Sequence, residues 1–102
     1  MASERGLVTD YIRLGQYATK IGNPDEGVLA LKNAAAIDKG QTAAPQIALA
    51  DFYQLHKDRV NEVRRLRMAL YIEPKNKVVL GRLLELGQVP GPSLATVPEE
   101  AR

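Results

Sequence analysis

Apolar positions along this chain fall into periodic segments divided by turn residues, and the divisions mark where helices start and stop. No stretch alternates apolar with polar residues for long enough to read as a strand. Asn23-Pro24-Asp25-Glu26 reads as a capping box: Asn23 accepts from a free backbone N–H, Pro24 suits the first helical position, and Glu26 reaches back. Asp58 ahead of Arg59-Val60 and Asn76 ahead of Lys77-Val78 are further N-caps. Gly22, Gly40 and Gly87 each follow a periodic segment, where a helix ends by turning left-handed. The pattern predicts five helices over 6–21, 24–38, 43–56, 59–72 and 77–86, an all-α fold. Beyond Gly87, Val89-Pro90-Gly91-Pro92-Ser93 breaks any helix, and residues 88–102 are expected to be a flexible tail.

The helical segments repeat. A shift of 35 residues puts Leu14 on Leu49, Gly15 on Ala50, Leu31 on Leu66 and Ala34 on Ala69, and Leu49 meets Leu83 at a shift of 34. A helical hairpin of this period, repeated and followed by a lone helix, resembles the tetratricopeptide repeat family over residues 8–86. The resemblance implies an α–α superhelix of stacked antiparallel hairpins in a domain 1–87, with repeats 8–42 and 43–76 and a closing helix 77–86. The family's early aromatic falls on Tyr11, its Leu and small-residue pair on Leu14-Gly15 and Leu49-Ala50, and its later aromatic on Ala18 and Tyr53. Its turn glycine falls on Gly22, its small residue of the second helix on Gly27, and its closing Pro on Pro74. Gln46, Lys57, Glu62 and Lys39 depart from the pattern, which bears on how tightly the second helix of repeat two packs near its start.

Stacked hairpins bury apolar faces only against neighbours. Helix 77–86 carries Val78, Val79, Leu80, Leu83, Leu84 and Leu86 around most of its circumference, so something is expected to cover it. The candidates are the tail (Val89, Leu94, Val97), a second copy, or further repeats. Composition narrows the chemistry. The 102 residues contain no Cys, no Trp and one His, which excludes disulfides, thiolate metal sites and His-rich metal sites. His56, beside Lys57 and Asp58, reads as a solvated helix-terminal residue, and Asp25-Glu26 as capping acids. No phosphate-binding glycine pattern occurs. No enzyme, cofactor or metal is therefore expected. No apolar run approaches the roughly 20 residues of a membrane span. Met1-Ala2-Ser3-Glu4-Arg5-Gly6 lacks a signal-peptide core, which favours the cytoplasm, the periplasm staying open if the chain is part of a longer protein.

Two surfaces remain. The resemblance implies a concave groove that takes a peptide or helix. Its lining would be Thr9, Ile12, Arg13 and Gln16, then Ala44, Ile47, Ala48, Asp51 and Gln54, then Val78, Gly81, Arg82 and Glu85. Ile47 is its expected centre, replaceable by Glu without unfolding. Where chaperone-binding members hold a carboxylate, this chain has Ile12, Gln16, Ala48, Val78 and Arg82, and only Arg82 keeps the chemistry. The mixture of apolar and acidic residues suits an amphipathic segment with some basic residues. The second surface is basic. The formal +2 conceals a block over 56–82 of net +5, in which Arg64, Arg65 and Arg67 form a ridge on the expected convex side. Helix-face pairs such as Arg59 with Glu62 are the ordinary alternative, and nucleic acid is disfavoured for want of interleaved aromatics. The leading reading is a non-enzymatic protein-interaction module. The others are a self-associating unit or fragment of a longer scaffold, and a binder of anionic surfaces.

Overall fold

The structure, a computed structural model, describes residues 4–89 and 93–101. The expectations that fall on Met1–Ser3, on Pro90-Gly91-Pro92 and on Arg102 lie outside these residues. Five α-helices are present: α1 (Glu4–Lys20), α2 (Pro24–Asp38), α3 (Ala44–Leu55), α4 (Arg59–Ile72) and α5 (Lys77–Glu85). They differ from the sequence-predicted helices only at their ends, and no strand occurs among the described residues. Asp58 and Asn76 cap as expected: Asp58 accepts from the Asn61 amide, and Asn76 from the amides of Val78 and Val79. Asn23 makes no side-chain cap. Its amide instead donates to the Glu26 carboxylate at 3.5 Å, and proline rather than a cap begins α2.

Short turns at 21–23 and 56–58 fold α1 back on α2 and α3 back on α4, giving two antiparallel hairpins. The first closes over two glycines. A Cβ on Gly15 would stand 2.6 Å from Leu31 Cγ and 2.8 Å from the Gly27 carbonyl oxygen. A Cβ on Gly27 would meet Thr19 Oγ1 at 2.2 Å. That hydroxyl already donates to the Gly15 carbonyl, 2.8 Å away. The small residues thus let two backbones touch. α3 packs against α1, α2 and α4, and α5 against α4. One buried cluster joins the hairpins (Leu31, Ala35, Ala48, Leu49), and another joins the second hairpin to α5 (Ala50, Leu66, Ala69, Leu70, Val79, Leu83). At ~25 cal/mol per Å² of apolar surface, these contacts between hairpins, rather than local helix propensity, supply most of the stability.

The four departures from the repeat pattern each have a partner or a conformation. Lys57, at the place of the turn glycine, and Lys39, at the place of the closing proline, both take a left-handed backbone, with φ 58° and 55°. Glu62 is buried and accepts from Arg82 Nη2 at 3.1 Å, so its charge is met by an ion pair that ties the start of α4 to α5. Arg59 does not pair with Glu62; its guanidinium donates to the Leu86 carbonyl at the end of α5. Gln46 is fully buried, hydrogen-bonded to Arg65 and Glu100.

The expected flexible tail is corrected over residues 93–101, which lie against the helices. Leu94 and Ala95 join the α3–α5 cluster, Pro98 is buried, and Glu99–Ala101 form a short 3-10 turn against α2. Proline and glycine announced a break in the helix; the anchoring is ionic and long-range, between Glu99-Glu100 and arginines of α4. The tail covers only part of the apolar surface around α5: Val78, Leu84 and Val89 stay exposed.

Candidate functional site

Because α1 and α3 lie side by side, the surface they share carries two hollows. The first, about 260 Å³, is bounded by Val8, Thr9, Ile12, Ile37, Asp38, Gln41, Thr42 and Ala44. Its rim is fixed by Asp38, which accepts from the Thr42 amide and hydroxyl at 2.9 and 2.8 Å. The second, also about 260 Å³, has Leu31, Ala48, Phe52 and Leu55 for its apolar lining and Gln16, Thr19, Lys20 and Asp51 around them. One basic and one acidic side chain thus flank an apolar hollow.

The expected groove residues divide accordingly. Thr9, Ile12 and Ala44 line the first hollow; Gln16, Ala48 and Asp51 line the second. Arg13 and Gln54 are exposed outside both. Ile47 is not a free groove centre: it is half-buried and packed on the α3–α5 cluster, because its place on α3 faces the next helices in the stack. On α5, Val78 and Glu85 are exposed, and nothing lies within 4 Å of a Cβ on Gly81. Arg82 bridges Asp51 of α3 (2.5 Å) and Glu62 of α4 (3.1 Å), so the one position that kept carboxylate-binding chemistry is spent on the fold. Phe52 and Leu55 escaped the sequence reading. They stand four and seven residues after Ala48, on the same helical stripe, so the spacing contained them. Phe52 also stacks on His56, ring centroids 4.2 Å apart. The His56 Nδ1 lies 2.8 Å from the Phe52 carbonyl, to which it donates. His56 is therefore an exposed end-of-helix residue tied to its own turn.

The basic ridge is not a free surface. Arg65 is 2% exposed; its guanidinium pairs with Glu99 and with Glu100, and donates to Gln46 Oε1 at 2.9 Å. Arg64 pairs with Glu99 at 2.9 Å, and Arg67 Nε donates to the Leu94 carbonyl at 2.8 Å. Burial on its own would raise the Glu100 carboxyl, but hydrogen bonds from Gln46 and Arg65, with the Arg65 charge, hold it below its ordinary value. Asp58 is likewise lowered, by hydrogen bonds from the Asn61 side chain and amide. Among the described residues, no group of three or more His, Asp or Glu is placed to hold a metal ion, and no helix is long and apolar enough to cross a membrane. No family model, curated protein or solved structure matches the chain.

Proposed function

We propose that this chain is a non-catalytic protein-interaction module of tetratricopeptide type, holding a peptide or short helix in the groove between α1 and α3. The apolar hollow of Leu31, Ala48, Phe52 and Leu55 supports this reading best. It offers a socket for one or two apolar side chains, with Lys20 beside it to orient an acidic neighbour on the ligand. Function here rests on the site and on the repeat resemblance together, and folds of this kind serve many processes. Leu55 is 66% exposed, so Leu55→Glu changes the hollow without removing a core residue. Panning a random-peptide phage library should enrich an apolar motif on the native chain, and Leu55→Glu should abolish its capture. Unchanged capture, with both proteins equally helical by circular dichroism, would refute the groove.

A second reading, a unit of a larger scaffold, is favoured by one comparison within the chain. Leu49 and Leu83 are fully buried against the preceding hairpin, whereas their equivalent Leu14 is 53% exposed. Tyr17, Ile21 and Leu29 are exposed on the same first hairpin. Sedimentation of the chain as a strict monomer at high concentration would remove self-association through this hairpin or through α5.

A further inference from the structure

We infer that the face of α3 and α4 around Arg65 and Gln46 is a binding site for acidic Pro-Glu-Glu segments, filled in cis by the chain's own residues 93–101. The receiving groups are built into the helices. Gln46, 0% exposed, turns its oxygen to Arg65 and its amide to Glu100 Oε1 at 2.9 Å, so it fixes the guanidinium and reads the carboxylate at once. Arg65 Nη1 lies 2.9 Å from both oxygens of Glu100, and its Nη2 donates to Glu99. Arg64 takes the other side of Glu99 through two donors. No other carboxylate pairs with Arg65 among the described residues. An empty site would leave a buried cation uncompensated, so it would draw in an anion of matching shape.

The ligand is read along its main chain as well as by charge. The Thr96 amide donates to the Arg67 carbonyl at 3.1 Å, while Arg67 Nε donates to the Leu94 carbonyl. One residue thus brackets the strap from both sides. Pro98 is buried beside the turn at Gly40, where an added Cβ would come within 3.0 Å of the Pro98 Cβ and 2.8 Å of the Ala101 Cβ. The specificity elements are a proline against glycine, two successive carboxylates on two arginines, and main-chain hydrogen bonds at Leu94 and Thr96 ahead of them. This face is separate from the α1–α3 groove, so the inference does not depend on the proposed function.

The test uses the full chain and a fluorescent synthetic peptide of residues 93–101. In the full-length double variant Glu99→Gln/Glu100→Gln the cis strap loses its charges and the site is freed. The peptide should bind this variant saturably, with affinity falling steeply as salt is added. On the native chain binding should be about a hundredfold weaker, because the tethered segment competes at high effective concentration. A peptide carrying both Gln substitutions should not bind. No saturable binding to a folded double variant, or equal binding of the Gln peptide, would overturn the inference. Should the double variant unfold, the native chain decides by NMR. A large excess of unlabelled peptide should move the labelled Thr96 amide to its released position and leave the Arg65 side-chain signal in place. A Thr96 amide that never moves would show a strap that is part of the fold and not a ligand.

Discussion

Gly15→Ala and Gly81→Ala make the same chemical change in two helices but should leave the chain with clearly different stabilities. In a helix interior the change alone favours folding by about 1 kcal/mol, because alanine loses less backbone freedom than glycine. At Gly81 nothing lies within 4 Å of the new methyl, so the full gain should appear. At Gly15 the methyl would stand 2.6 and 2.8 Å from Leu31 carbon atoms and 2.8 Å from the Gly27 carbonyl oxygen. Leu31 is fully buried, and the carbonyl belongs to the backbone of α2, so neither neighbour can swing away. Overpacking of this kind costs about 1–3 kcal/mol, which cancels or exceeds the propensity gain. Between the two variants the propensity term drops out and the overpacking term remains. At roughly 4–8 °C per kcal/mol for a domain of this size, Gly81→Ala should melt at least several degrees above Gly15→Ala. Thermal unfolding followed by far-ultraviolet circular dichroism, which reports helical backbone, measures both. Equal melting temperatures would mean that α1 and α2 do not meet at Gly15, and the account of the first hairpin would fail.

Lys57 holds a left-handed backbone that suits glycine, so Lys57→Gly should stabilise the chain by about 1 kcal/mol in a urea titration. Asn76→Ala removes the side-chain acceptor for two amides of α5 and should lower stability by about 1 kcal/mol, read from the same titration. Arg65→Ala strands Glu100 and Gln46 and should cost about 3 kcal/mol, the low end for a broken buried pair because Glu99 keeps partial exposure. The Glu100 carboxyl is lowered from an ordinary 4.5, so its contribution is complete above that value and lost as pH falls through the folded one. Acid should therefore release the strap before the helices melt. Loss of Thr96 amide protection as the pH falls below 4.5, at constant ellipticity, is the expected observation.

The helices were legible because their signals are local. Caps at Asp58 and Asn76, proline at the start of α2 and the turns at Gly22, Gly40 and Gly87 act within a few residues of one another. The repeat spacing likewise placed Leu31, Leu49, Leu66 and Leu83 in the core and Gly15 at a close helix contact, because burial follows helical period. Within the groove, the family resemblance placed Thr9, Ile12, Ala44, Gln16, Ala48 and Asp51 beside hollows, yet Ile47 turned inward, since which flank of α3 is free depends on where α4 and α5 pack. Charge was the least legible. A run of arginines reads as a solvated ridge until its counter-ions are known, and the carboxylates of Glu99 and Glu100 lie more than thirty residues away in sequence. Pairing across that distance depends on the path of the chain and leaves no periodic trace. Five helices, their hairpin repeat and most of the apolar core therefore follow from the order of residues alone. That Arg65 is buried under residues 93–101 came from the fold, because a helix sets its faces locally whereas an ion pair is set by whatever the fold brings within reach.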